Sequence, residues 1–249
     1  MAHSAEFTAA GFDLGHDVAV RVWTPDSLGP DDAAPPLLAH DGPEYDDRSK
    51  LTTHINSLIQ SSSVVSHRVA LVDRAPGAMR SDWYGASPAY HNTLAHSVIP
   101  TIRKEVNVAG PIVGIGASLG AISLLGCEFE HPGTFGGLRL QSASFHHTDY
   151  YEPWVQAEIR TQYEHFERVA ALVVRIRSTQ KAENPIPIGI TWRDGPERRG
   201  NIVMANILSD QGHLMRGGLV PGGHDFESWG NTFEPALAFA LNRTWGYPQ

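Results

Sequence analysis

Gly116-Ala117-Ser118-Leu119-Gly120 sets a serine midway between two glycines. The apolar run Pro111–Ile115 ahead of it reads as a buried strand, and Ala121–Leu125 opens an apolar run of helical length behind it. A serine on a sharp strand-to-helix turn is held in strained backbone geometry with its hydroxyl exposed, and the flanking glycines let strand and helix approach closely. Ser118 is therefore a candidate nucleophile. The bland alternative is a small-residue junction with a bystander serine.

A nucleophilic serine needs a base that takes its proton and later returns it. Gly222-Gly223-His224-Asp225 follows a short run, Leu214–Val220, that reads as a strand, and an apolar segment, Phe233–Leu241, comes after it. Where a serine sits on such an elbow, the acid and then the histidine follow it along the chain. His224 fits the last place. Its unperturbed pKa near operating pH suits both directions of proton transfer. The chain has 13 histidines, so the double glycine and the position single this one out. In the same arrangement the residue after the nucleophile, Leu119, offers one backbone N–H to an oxyanion.

These residues need a scaffold. Val18, Val20 and Val22 alternate with Ala19, Arg21 and Trp23, the mark of a half-exposed strand. Leu37–Ala39 is a short apolar strand ending at a turn, His40–Pro43. Leu51, Ile55, Leu58 and Ile59 recur at helical spacing, Val69–Val72 is a further strand, and Thr93–Ile102 reads as a helix that Pro100 would kink. Gly137–Leu140 reads as a strand, Pro153–Arg177 as mostly helical and Ile202–Leu208 as a helix. Ile186–Thr191 reads as a strand too, and Pro187 within it, with Pro185 just ahead, favours a short or edge-like one. Strands alternating with helices predict an α/β fold with a mainly parallel central sheet covered on both faces. At 249 residues, with no internal repeat or linker, one domain over 1–249 is expected.

Composition narrows the function. A formal net charge of −8 and the lack of a basic run argue against a nucleic-acid surface. No stretch approaches the ~18 apolar residues of a membrane span, and the first residues lack a basic and an apolar signal region. A cytoplasmic protein is the expectation. The single cysteine, Cys127, excludes an internal disulfide and reads as a small buried hydrophobe. His146 and His147 are adjacent and without a cysteine partner. Adjacent loop histidines rarely converge on one ion, so no metal is expected, and the rim of the site is the better reading for them.

Several blocks together resemble the esterase-D-like branch of the α/β-hydrolases, which includes enterochelin-type siderophore esterases, feruloyl-esterase-like proteins and mycolyltransferases. They are Leu37 to Gly42, Arg80 to Tyr90 with Val98 to Pro100, Gly114 to Gly120, His131 to Gly137, Gln141 to Phe145, and Gly222 to Asp225 with Trp229. The resemblance implies a three-layer α/β-hydrolase sandwich. It implies a cofactor-free serine esterase working through an acyl-enzyme on a small-molecule ester, siderophore-like or aryl.

The resemblance places the acid after Ile186–Thr191. Two carboxylates compete there, Glu197 and Asp194, with Glu197 favoured because it lies just ahead of the next helix. It also places a second oxyanion donor just after Asp41-Gly42, where this chain has Pro43, which lacks an N–H. The donor shifts to Gly42 or Glu44. Arg80 is the implied substrate contact, with Trp83 and Tyr84 as aromatic walls. Acyl transfer to an alcohol shares this chemistry. The unusual acid segment and Pro43 also leave room for a non-catalytic binding protein on a hydrolase scaffold.

Overall fold

The structure is a computed structural model that describes residues 3–77, 79–150, 157, 160 and 165–246. The strands are β1 His3–Ala9, β2 Val18–Thr24, β3 Pro36–Ala39, β4 Arg68–Val72, β5 Val113–Ala117, β6 Gly137–Gln141, β7 Pro187–Trp192 and β8 Leu214–Leu219. The helices are α1 Gly42–Ser49, α2 Leu51–Gln60, α3 Met79–Tyr84, α4 Pro88–Thr93, α5 Ile99–Glu105, α6 Leu119–Glu130, α7 Phe166–Ser178, α8 Arg198–Asp210, α9 Phe226–Gly230 and α10 Ala236–Trp245. The strands form one sheet in the order β1-β2-β4-β3-β5-β6-β7-β8. β1 and β2 run antiparallel to their neighbours, and all other pairings are parallel.

The central strands are apolar without alternation because both of their faces are covered. Successive side chains of β3 show how. Leu38 joins one core with Leu119, Ile122, Val169 and Met204, under α3 to α8. Leu37 and Ala39 join the other with Tyr45, Leu51, Ile55, Trp229 and Leu237, under α1, α2, α9 and α10. Three layers follow. β2 keeps the predicted alternation, with Val18, Val20 and Val22 buried and the residues between them half-buried.

One expectation needs correction. β7 is not an edge strand, since it pairs with β6 on one side and β8 on the other. Pro185 precedes it and Pro187 is its first residue, a position where a missing N–H is tolerated. The edge is β8, which is largely exposed along its length. The expected turn is present at His40 and Asp41, and Gly42 and Pro43 already belong to α1. Pro100 does not break the helix; Leu94–Val98 widens into one π-turn, in which the Ile99 N–H reaches Leu94 C=O, and Pro100 then sits near the start of α5. A π-turn absorbs a helix irregularity of this kind. Of the helix expected over Pro153–Arg177, α7 is its second part; residues 153–156, 158–159 and 161–164 lie outside the described residues.

After β3 the chain moves to β4 on one side, and after β5 it moves to β6 on the other. Such a switch point leaves a crevice at the carboxyl ends of the strands, where α/β proteins bind ligands. The corner after β3 holds Asp41 and Gly42, and the corner after β5 holds Ser118.

Candidate active site

Ser118 joins β5 to α6 with φ 53° and ψ −122°, a strained conformation for a residue with a side chain. Gly116 makes the turn feasible: a Cβ there would lie 2.7 Å from the Gly120 carbonyl carbon. Ser118 N–H is anchored on Gln141 C=O at the end of β6, at 2.9 Å. Leu119 opens α6, so its N–H precedes the helical ladder and has no intrahelical acceptor.

His224 stands in the loop between β8 and α9. Its Nε2 lies 3.0 Å from Ser118 Oγ, and its Nδ1 lies 3.2 Å from Glu197 Oε1. Glu197 caps α8 and is mostly buried, and Arg193 Nε lies 2.9 Å from the same Oε1. Burial raises the Glu197 pKa, but the hydrogen bond and charge of His224, with the charge of Arg193, outweigh it and hold the carboxyl below its usual range. Asp194 faces solvent at 77% exposure and pairs with Arg198 at 2.8 Å. Asp225 is committed to α9, where its carboxylate accepts from the Ser228 N–H at 2.9 Å. Trp229 meets the His224 ring edge-on at 5.2 Å.

The corner after β3 is equally constrained. Asp41 adopts the left-handed conformation, φ 50° and ψ 40°. Gly42 follows, and a Cβ there would fall 2.3 Å from Leu71 Cα, so only glycine fits. Gly42 N–H is the first of α1 and also lies outside a helical ladder. His40, fully buried, ties the two corners together: its Nδ1 donates to Gly120 C=O at 3.0 Å and its Nε2 accepts from Tyr90 OH at 3.1 Å. Burial lowers its pKa to about 4, so the ring is neutral at pH 7.

Arg80 borders the cleft beside Ser118, yet its fork is occupied. Its Nε and Nη2 donate to Asp41 Oδ1 and Oδ2 at 2.7 and 2.6 Å, and its guanidinium stacks over Tyr84. Trp83 and Tyr84 do not wall the cleft. Both are core residues; Tyr84 stacks on His40 and its hydroxyl accepts from Asp41 N–H. The aromatic lining is Phe226 and Trp229 in a cleft of about 320 Å³, with Glu44, Arg48 and Arg74 around its mouth. Phe226 was not anticipated, although it directly follows the Gly222 to Asp225 block. His146 stacks on Phe166 and His147 pairs with Asp149, so the two rings diverge.

Ser144 was also not anticipated. Its Oγ lies 3.1 Å from Ser118 Oγ, and its N–H donates to Ser118 C=O at 3.2 Å.

The family described as "Putative esterase" matches residues 12–240. A search of curated protein sequences finds no match. Among solved structures, a ferulic acid esterase superposes with a TM-score of 0.72 at 18% identity, covering 97% of this chain and 98% of its own. The enterobactin esterase of Shigella flexneri superposes at 0.69 and 18% identity over 97% of this chain, which spans 59% of that longer protein. An IroE-like serine hydrolase of Shewanella oneidensis gives 0.68 at 11% identity, covering 97% of this chain and 79% of that one. These likenesses establish the α/β-hydrolase fold. Among the described residues, no helix is long and apolar enough to cross a membrane.

Proposed function

The chain belongs to this esterase family, and on that premise we propose that it is a serine carboxylic-ester hydrolase acting through an acyl-enzyme, without cofactor. The observation that carries the proposal is the relay Ser118 Oγ, His224 Nε2, His224 Nδ1, Glu197 Oε1, with contacts of 3.0 and 3.2 Å. His224 takes the Ser118 proton as Oγ bonds to the ester carbonyl carbon. The N–H groups of Leu119 and Gly42 receive the carbonyl oxygen as it becomes negative. His224 then protonates the departing alkoxide, leaving Ser118 acylated. A water, deprotonated by the same imidazole, releases the acid and restores Ser118. Glu197 fixes the tautomer and stabilises the imidazolium.

An aryl or siderophore-like ester is the substrate class we favour. Phe226 and Trp229 offer a flat group two aromatic faces beside the nucleophile, and the structural relatives include esterases named for ferulic acid and enterobactin.

The test is labelling by a fluorophosphonate probe together with hydrolysis of 4-nitrophenyl acetate. Wild type should label and turn over, and Ser118→Ala should do neither while keeping its circular dichroism spectrum. Unchanged turnover in the folded variant would remove Ser118 from the mechanism.

A further inference from the structure

A hydroxyl that donates only once cannot serve two acceptors. Ser118 O–H must point at His224 Nε2 for the imidazole to take its proton. The second hydroxyl within reach, Ser144 Oγ at 3.1 Å, must then be the donor, with Ser118 Oγ accepting. We infer that Ser144 is a second catalytic hydroxyl, which directs the Ser118 proton to His224 and carries part of the negative charge that Oγ acquires. The inference rests on the esterase reading above.

The surroundings of Ser144 are built to hold it there. It lies on the loop after β6 and is mostly buried. Ser142, at the start of that loop, has φ 44° and donates its N–H to Thr191 C=O at 2.8 Å. Asn201, fully buried on α8, clips Ala143 at both ends, accepting its N–H at 3.1 Å and donating to its C=O at 2.8 Å. The same Asn201 Nδ2 donates to Glu197 C=O at 2.9 Å. One side chain therefore fixes the loop that presents Ser144 and the turn that presents the acid. A side-chain amide with its partners satisfied in a buried setting gives the rigidity that a catalytic donor needs.

The proton count closes at each step. In acylation the Ser118 proton passes to His224 Nε2, Oγ bonds to the carbonyl carbon, and Ser144 keeps its own proton throughout. In deacylation the Oγ–acyl bond breaks, Oγ again gathers charge, and Ser144 O–H and protonated His224 both face it. Ser144 thus acts in both halves of the cycle, so its loss lowers kcat whichever half is slower and leaves KM nearly unchanged.

The experiment compares Ser144→Ala and Ser144→Thr with wild type, using steady-state hydrolysis of 4-nitrophenyl acetate and the second-order rate of fluorophosphonate labelling across pH. A donor to an oxygen gaining charge is worth about ten- to a hundredfold in rate. Ser144→Ala should therefore lose roughly that factor in kcat and in labelling rate, with KM little changed. Ser144→Thr, which keeps the hydroxyl, should recover most of it. Rates within twofold of wild type in Ser144→Ala would overturn the inference alone. Equal losses in both variants would assign packing rather than the hydroxyl and overturn it too. A wild type that neither labels nor hydrolyses esters would overturn the esterase reading, and this inference with it.

Discussion

Replacing Glu197 by glutamine changes one charge and almost no volume, which makes it the sharpest probe of the relay. Its carboxylate receives His224 Nδ1 at 3.2 Å, a charge-assisted contact once the imidazole is protonated. Such a bond is worth about 1.5–3 kcal/mol, which corresponds to roughly ten- to a hundredfold in kcat. Arg193 decides which way the introduced amide faces. It lies 2.9 Å from the same Oε1, so it draws the amide oxygen to the position that His224 Nδ1 also meets, and the NH2 turns away from the ring. The tautomer is then kept, and what is lost is the negative charge opposite the imidazolium. Glu197→Gln should therefore lose about ten- to a hundredfold in kcat, with KM little changed. Asp194→Asn should stay within about twofold, because its pair with Arg198 is a solvent-exposed i,i+4 contact. Steady-state hydrolysis of 4-nitrophenyl acetate, with circular dichroism as the fold control, reads both. An Asp194→Asn loss equal to that of Glu197→Gln, or a Glu197→Gln variant within tenfold of wild type, refutes the assignment.

Two further outcomes follow from buried ion pairs. Arg80→Ala strands the Asp41 carboxylate, which is 2% exposed, and should cost about 3–5 kcal/mol, read as a fall in Tm; Asp41→Asn in the same background should restore part of it. The kcat/KM ratio of anionic to neutral esters should not move, since the fork is engaged with Asp41, and a collapsed ratio at unchanged Tm would return Arg80 to substrate binding. Glu130 is held at about 2: burial raises its pKa, but hydrogen bonds and charge from His91 and Arg175 overcome that. Its stabilisation is thus complete above the unfolded value near 4.5 and fades as pH falls toward 2. Glu130→Gln should lose at most about 3 kcal/mol in urea unfolding at pH 7, and a gap that does not narrow on acidification would contradict this sign.

What could be read from the chain and what could not divide along a physical line. The strand, elbow and helix around Ser118 are contiguous, so their apolar runs and glycines declare themselves within fifteen residues. β1 was missed, because its mixed sequence His3–Ala9 takes its strand character from seven register pairs with β2. Arg80 reads as a free cation in sequence, and its partner stands 39 residues earlier, on a corner whose shape depends on Gly42. The choice between Glu197 and Asp194 turns on which way one short turn faces, and three residues of spacing do not encode that. Ser144 reaches Ser118 through sheet topology alone. Pro187 misled for a different reason: a proline forbids only the bond its own nitrogen would make, and at the first residue of β7 the neighbouring strands do not need it.

The exposed edge strand has a consequence for how the protein stops working. β8 delivers His224, yet most of its side chains are exposed and Met215 alone packs against a core, so the ladder to β7 and the Asp225 cap on α9 are its main restraints. Ser118 and Glu197 hang from β5 and α8, whose side chains are locked into packed volume. The three groups of the relay are therefore anchored with unequal strength, and the proton carrier rides on the part with the least to lose by opening. Under gentle heating or dilute urea His224 should therefore detach while the body of the sheet persists. On the proposed mechanism, turnover should then fade ahead of the far-ultraviolet signal and return on cooling without passage through the unfolded chain.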